Sequence, residues 1–326
     1  FLWQQKTFAI GVSIGVVFIS DSFANTDSLL QAADEACYAA KESGRNRIHV
    51  YEPNDDTLER RRGEMQWVSR LHAALEEDRF RLFAQTIQGV GSNADPGFHY
   101  EVLIRMVDEE GGLVPPGVFV PAAERYGVMP SIDRWVVRNV IQWLSTQQRH
   151  LDGLSFCSIN LSAPTLSDPE FPHFIKDLIE SSGVPPEKLC FEITETSAIS
   201  NFNQALKLIS ALKEKNCLFA LDDFGSGMSS FGYLKNLPVD FLKIEGSFVR
   251  EIVSDDTSMA LVRSINDIGH VMGKKTIAEF VEDDAVLAMV AQLGIDYAQG
   301  YGISKPMPHD EFFASQNAEE PRLVTG

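Results

Sequence analysis

Leu189-Cys190-Phe191-Glu192-Ile193-Thr194-Glu195 is followed, after a helix-length segment, by Leu218-Phe219-Ala220-Leu221-Asp222-Asp223-Phe224-Gly225 and then by Phe241-Leu242-Lys243-Ile244-Glu245. Each piece is a short β-rich run that ends in charged residues, and the spacing suits strands alternating with helices. The pattern continues outward in both directions, with runs at 81–88, 100–106 and 156–161 before it and at 275–280 and 297–301 after it. Eight such runs predict an α/β chain folded as a (β/α)8 TIM-type barrel. An open doubly wound sheet shares the strand count and stays open at this point.

Length and composition accommodate that reading. At 326 residues and 36.2 kDa the chain holds a barrel plus an appendage. Hydrophobic residues make up 44% and charged residues 23%, which excludes disordered, collagenous and coiled-coil chains. A formal charge of −18 repels nucleic-acid backbones and anionic membrane surfaces, so neither polymeric nucleic acid nor membrane contact is expected of this fragment. Cys37, Cys157, Cys190 and Cys217 lack CxxC spacing and read as reduced thiols of a cytoplasmic protein. Cys157 and Cys190, within strand runs, read as buried thiols and not as nucleophiles. No run of about 18 apolar residues occurs. Residues 8–18 are interrupted by Gly11, Ser13 and Gly15 and suit a strand better than a signal peptide. A chain that opens on Phe1 is expected to be part of something longer.

Residues 1–52 read as an α+β fragment: a strand, a helix over 27–43 with Leu29, Leu30, Ala33, Ala36, Cys37 and Ala40 at apolar positions, and a strand over 47–51. It is too small to form a core alone. Residues 53–78 supply a polar linker and a connector helix with Trp67, Val68, Leu71, Ala74 and Leu75 at helical spacing. The barrel is expected over 79–313 and a polar tail over 314–326.

In such a barrel the chemistry sits at the carboxyl ends of the strands. Those ends carry Glu101, Asn160, Glu192, Asp222 with Asp223, Lys243, Glu279 with Glu282, and Gln299. Side chains two apart share a strand face, so Glu192 and Thr194 point one way and Glu195 the other, which makes Glu195 an anchor behind the site. Glu101, Leu103 and Arg105 share a face, with Arg105 about 13 Å further along at about 3.3 Å per residue. Asp222 and Asp223 reach one site only if the strand ends between them, and Gly225-Ser226-Gly227 supplies a turn. Two unit charges about 4 Å apart cost about 4 kcal/mol at an effective dielectric of about 20. Glu101, Glu192, Asp222, Asp223 and Glu279 therefore need cations if they converge. Oxygen ligands with one Asn amide and no His favour two hard divalent ions, Mg²⁺ or Mn²⁺. Together with Lys243 these would roughly balance the five acids and leave a phosphodiester to be held.

The ordered set Glu101-Val102-Leu103, Asn160-Leu161-Ser162, Glu192-Ile193-Thr194-Glu195, Asp222-Asp223-Phe224-Gly225, Lys243-Ile244, Glu279 with Glu282, and Gln299-Gly300-Tyr301 resembles the EAL-domain cyclic di-GMP phosphodiesterases. The stretch 116–135, with Phe119, Pro121, Glu124 and Asp133, matches the same family, and the resemblance spans about residues 64–313. It implies a barrel whose first strand runs antiparallel to the rest, and metal-dependent hydrolysis of cyclic di-GMP to linear pGpG. It implies that Glu101, Asn160, Glu192 and Asp222 hold one metal, that Asp222 bridges to a second held with Asp223, and that Glu279 completes the shell. Lys243 would hydrogen-bond the attacking water or hydroxide and Gln299 would help place it, with Glu282 orienting partners. Arg105, Leu103, Asp223, Tyr301 and Gly302 would contact substrate. Glu195, with Thr194, would steady the loop from Asp223 to Gly232, which in this family lies near the interface of a homodimer formed through the barrel. Leu29-Leu30, Ala33-Asp34, Tyr38, Ala40-Lys41 and Gly44-Arg45-Asn46 resemble the closing third of a GGDEF diguanylate cyclase domain, but the signature turn is absent, so cyclase activity is not expected. Proteins of this kind often carry sensory or membrane segments upstream, which would tether the full-length chain to the inner membrane.

Departures from the family pattern are Val102, Gln85-Thr86-Ile87, Met106 and Glu245, the last expected to shift Lys243. Alternative readings are an inactive receptor that binds cyclic di-GMP and signals through its dimer contacts, or a structural dimerisation domain. Gly225-Ser226-Gly227 lacks the third glycine and the Lys-Ser/Thr pair of a phosphate loop. The seven His residues have no HExxH spacing, and the one His-Asp pair, His309-Asp310, lies near the terminus, which disfavours an HD-type phosphodiesterase.

Overall fold

A computed structural model of the chain describes residues 67–90, 97–225 and 232–318 continuously, with isolated positions before residue 52. The chain divides into two compact units, Phe1–Arg70 and Leu71–Gly326. In the first, Ile14–Val16 pairs in parallel with Ile48–Val50, Ile14 against Ile48 and Val16 against Val50. Leu29, Leu30, Ala32, Ala33 and Ala36 are helical, with Ala32 and Ala36 buried. Cys37, Ala40, Lys41, the Gly44-Arg45-Asn46 stop and the linker at 53–57 lie outside the described residues. Residues 67–76 are helical, as the apolar spacing predicts.

The second unit is a closed barrel of eight strands, β1 (Phe80–Gly89), β2 (Phe98–Val107), β3 (Leu154–Asn160), β4 (Leu189–Thr194), β5 (Leu218–Phe224), β6 (Phe241–Ile244), β7 (Lys275–Ala278) and β8 (Tyr297–Ala298). Neighbours from β2 to β8 pair in parallel. β1 is antiparallel to both β2 and β8 and closes the ring, with Gln85 opposite Glu101 and Ala298 opposite Gln88. The reversed first strand follows from its connection: the segment between Gly89 and Phe98 is too short for the crossover of a dozen or so residues that a parallel pair needs. All eight runs seen in the sequence become barrel strands. The last two are shorter than expected: β7 ends at Ala278, ahead of Phe280, whose φ of 52° leaves the extended region, and β8 ends at Ala298.

The barrel interior is layered by strand parity. Ile87, Phe156, Cys190, Ala220, Phe241, Ile277 and Tyr297 form an apolar cluster at one level. Two residues further along the same strands stand Gln85, Ser158, Glu192, Asp222, Lys243, Glu279 and Gln299. Residues two apart share a face and are separated by about 7 Å, so a polar layer sits directly on an apolar one. The packed layer below keeps water from that side and sets the height of every site residue.

Helices on the outside cover the strands with their apolar stripes. In α4 (Asp256–Val271) Val262, Ile265 and Gly269 are buried, and Asp255 caps the helix by accepting from Ser258 N at 2.7 Å. Helices α1 (Pro116–Arg125), α2 (Met129–Ser145), α3 (Gly246–Glu251) and α5 (His309–Ala318) bound the site and the far end. The polar tail expected at 314–326 begins inside α5, because Phe312 and Phe313 dock that helix on Tyr100. Trp143, His150, His309 and Phe313 pack as one aromatic cluster with ring centroids 4.0–5.1 Å apart. His150 Nε2 lies 3.3 Å from the Tyr100 hydroxyl.

Burial pushes His150 down to about 4 and His309 down to about 3, the latter helped by the neighbouring His150. Unfolded imidazoles titrate at about 6.5, so below that pH the unfolded chain binds more protons than the folded one. This contribution to stability is complete above pH about 6.5 and is lost as the pH falls through about 4. Urea melts should show a drop on acidification from pH about 7 to about 4, of which up to about 3 kcal/mol belongs to His150. His150→Phe should remove that part, and an unchanged acid slope in the variant would exclude the histidine as its origin.

Candidate metal centre and substrate cleft

The polar layer converges on one cation. Lys243 Nζ lies 2.7 Å from Glu192 Oε2, 3.0 Å from Glu279 Oε1, 3.2 Å from Asp222 Oδ1 and 3.4 Å from Glu101 Oε2. Lys243 and Glu192 are fully buried and Glu101 nearly so. Asn160 Nδ2 donates to Glu101 Oε1 at 2.6 Å, and Gln299 Nε2 donates to Glu101 Oε2 at 2.7 Å. Gln299 Nε2 also reaches Gln85 Oε1 at 3.4 Å, and Gln85 Nε2 donates to Ser304 O at 2.9 Å. Six strands thus deliver Gln85, Glu101, Asn160, Glu192, Asp222 and Lys243 to one rim, with Glu279 following the seventh and Gln299 the eighth.

The electrostatics show how crowded that rim is. Burial works against the Lys243 ammonium, but Asp222, Glu101, Glu192 and Glu279 outweigh it and hold the proton far more tightly than usual. Burial pushes Glu192 up to about 8, aided by the charges of Glu101 and Asp222 against the pull of Lys243. Glu279 is driven well above the carboxylate range, first by burial and then by Asp222 and Glu101. Burial would raise Glu101 too, yet Lys243 and the hydrogen bonds from Gln299 and Asn160 bring it below its ordinary value. One ammonium does not neutralise this many acids.

Asp222 and Asp223 both reach the site, but not because the strand ends between them. β5 runs through both to Phe224. A bulge does the work: Leu221 pairs with Leu242 and Phe224 with Ile244, so β5 carries one residue more than β6 across the interval. Asp223 takes the extra position at φ 54°, a left-handed conformation that Asp tolerates better than most residues. Burial, Asp222 and Glu245 push Asp223 up to about 6, and Glu245 shares a hydrogen bond with it. The extra methylene of Glu245 therefore acts on Asp223. Its carboxylate also caps α3, accepting from Ser247 N at 3.4 Å. Glu195 is buried behind the rim. It accepts from Gly225 N at 2.9 Å and from the Tyr233 hydroxyl, tying down both sides of the segment between them. Thr194 caps the helix Glu195–Ser200 by accepting from Ser197 N.

A cleft of about 430 Å³ opens above the rim, and Glu101, Leu103, Arg105, Glu279, Glu282, Gln299 and Tyr301 all line it. Gly302 lies outside that lining: its backbone passes so close to Glu282 and Asp283 that a Cβ would crowd them. Arg250, Phe280 and Pro306 line the same cleft without a site signal in the sequence, and Gln85, which the sequence marks only within Gln85-Thr86-Ile87, lines it too. Gln85 was legible in principle, since an antiparallel first strand places it opposite Glu101. Arg250 and Phe280 gave no such clue. Phe280 at φ 52° stores strain of about 1–3 kcal/mol.

The rim suits hard cations. Among the described residues, Glu192 Oε1 and Gln299 Oε1 are buried without a hydrogen-bond donor, and Asp222 Oδ1 has only the unaligned approach of Lys243. Asp222, Asp223 and Glu279 present carboxylate oxygens within 4.8 Å of one another. A donor set of carboxylate and amide oxygens without His or Cys matches Mg²⁺ or Mn²⁺ chemistry.

Residues 68–306 match the EAL domain family, and residues 2–47 match the diguanylate cyclase GGDEF domain. The cyclic di-GMP phosphodiesterase PdeB of Shewanella oneidensis is 40% identical over 305 residues, which is 94% of this chain and 35% of that protein. The cyclic di-GMP phosphodiesterase PdeF of Escherichia coli is 37% identical over 241 residues, 74% of this chain and 32% of that protein. The chain thus spans about a third of the length of these curated relatives. The FimX EAL domain from Pseudomonas aeruginosa, solved bound to c-di-GMP, is 34% identical with a TM-score of 0.69, covering 74% of this chain and 96% of that one. No helix among the described residues is long and apolar enough to cross a membrane.

Titration with Mn²⁺ or Mg²⁺ should raise the melting temperature of the wild type, since a ligand at about 100 times its Kd stabilises by about 2.7 kcal/mol. Asp222→Asn and Glu279→Gln should lose most of the shift. A melting temperature indifferent to excess Mn²⁺ would refute the rim as a metal site.

Proposed function

The chain belongs to the EAL domain family, and from that membership we propose that it hydrolyses cyclic di-GMP to linear pGpG with the help of two divalent cations, Mg²⁺ or Mn²⁺. The observation that carries the reading is the convergence of Glu101, Glu192, Asp222 and Glu279 around Lys243, with Asn160 on Glu101, at the floor of a cleft large enough for part of a dinucleotide. Relatives named as cyclic di-GMP phosphodiesterases, and a structural neighbour solved with c-di-GMP, support the choice of substrate.

Glu101, Asn160, Glu192 and Asp222 would hold one ion, Asp222 and Asp223 the second, with Glu279 completing the shell. When bound, such ions lower the pKa of water and stabilise the charge that develops on the phosphoryl oxygens. The protein's own groups do the rest. Lys243, kept protonated by its acidic neighbours, donates a hydrogen bond that orients the attacking water. Gln299 Nε2 holds Glu101 Oε2 in place beside it. Arg105, half-buried on the face it shares with Glu101, meets substrate phosphate from the far side of the cleft. The apolar layer beneath excludes water and strengthens each of these interactions. In a homodimer formed through the barrel, the tie from Glu195 to Gly225 and Tyr233 would hold the adjoining loop at the interface.

Incubation with cyclic di-GMP and Mn²⁺, followed by chromatography, should yield pGpG. Glu101→Ala should lower kcat by about 100-fold or more, as loss of a key electrostatic group in a reaction centre does. Binding without pGpG in any divalent metal would replace this reading with that of a receptor.

A further inference from the structure

Phe280 and Arg250 take no part in the roles above. Phe280 follows Glu279 directly and stands in the cleft wall, 46% exposed. Its backbone at φ 52° is one that a bulky residue adopts only when its surroundings force it. Those surroundings are explicit. Val281 N donates to Gln299 O at 2.9 Å, Gly302 N donates to Val281 O at 2.9 Å, and a Cβ on Gly300 would overlap the backbone of Val281. Gly246, at the start of α3, leaves the ring its seat, since a Cβ there would overlap it. One helical turn on, Arg250 lays its guanidinium 4.2 Å from the ring centroid and pairs with Glu282 Oε1 at 3.2 Å. A ring placed for packing alone would be buried. This one is held out in the cleft by a strained backbone, a fitted glycine and a stacked arginine.

We propose that the Arg250–Phe280 pair recognises one guanine base of the substrate. The exposed part of the Phe280 ring offers stacking surface to a purine lying beside the guanidinium. The guanidinium N–H groups not engaged by Glu282 match the O6 and N7 acceptors of guanine, whereas adenine presents an amino donor in place of O6. Arg105 remains for phosphate on the other side of the cleft. The inference rests on the cyclic di-GMP reading.

Equilibrium binding of cyclic di-GMP and cyclic di-AMP, measured in EDTA to prevent turnover, tests it. Phe280→Gly should weaken cyclic di-GMP binding at least about fivefold, while its melting temperature holds or rises because glycine takes the same φ without strain. Phe280→Tyr should stay within about twofold of the wild type, since the stacking face is kept. Arg250→Ala should narrow the preference for cyclic di-GMP over cyclic di-AMP at least about fivefold. Unchanged affinity in Phe280→Gly together with unchanged preference in Arg250→Ala would overturn the proposal, as would a wild type that binds neither dinucleotide. A wild type that binds cyclic di-GMP but forms no pGpG with Mn²⁺ would overturn hydrolysis alone, and the affinities would still decide the base contact.

Discussion

A single buried ammonium ties together the acidic rim of this barrel. Lys243 Nζ lies within 3.4 Å of carboxylate oxygens from Glu101, Glu192, Asp222 and Glu279, each arriving from a different strand or strand end. Breaking a buried charge pair by removing one partner typically costs about 3–5 kcal/mol, and here one partner serves four. The compensation is incomplete even so, because Glu192 is pushed up to about 8 and Glu279 beyond the usual carboxylate range. Carboxylates crowded in this way around one ammonium are what a divalent cation would relieve.

Holding like charges this close requires a scaffold that cannot relax. The apolar cluster of Phe156, Cys190, Ala220, Phe241 and Ile277 supplies it one layer below. Because Glu192, Asp222, Lys243 and Glu279 each follow a residue of that cluster by two positions, packing of the core fixes the height of the rim. Two local deviations then finish the geometry. The bulge at Asp223 brings a second acid of the same strand to the site, and the turn at Phe280, past the end of β7 and Glu279, sets an aromatic ring in the cleft wall. Both residues sit at positive φ, and both lie at the cleft or the rim, where strain is commonly stored.

Much of this was legible in the sequence. The strand runs, the parity that groups Glu101 with Arg105 and separates Glu192 from Glu195, and the oxygen-only donor set all follow from residue order and side-chain alternation. Gln85 stands in the sequence reading only as part of Gln85-Thr86-Ile87, because its place beside the acids depends on a cross-strand partner, Glu101, sixteen positions away in an antiparallel register. Asp222 and Asp223 come together through a bulge and not through the strand end that residue order suggests, since a bulge is set by pairing with β6 and leaves no mark on β5 alone. Glu245 was expected to disturb Lys243, whereas its carboxylate turns to Asp223 and to the end of α3.

By itself the sequence determined the alternation of strands and helices, the level at which polar residues replace apolar ones on the strands, and the set of acids at the strand ends, while the choice of a closed barrel over an open sheet rested on the family resemblance. The first three depend on local periodicity and on charge, which any linear reading captures. Only the tertiary structure decided that one lysine would answer four carboxylates, that Asp223 would be turned inward, and that Phe280 and Arg250 would meet over Gly246. Those outcomes depend on ring closure and on contacts between segments far apart in the chain, where the energy of each placement is set by neighbours that the sequence does not put side by side.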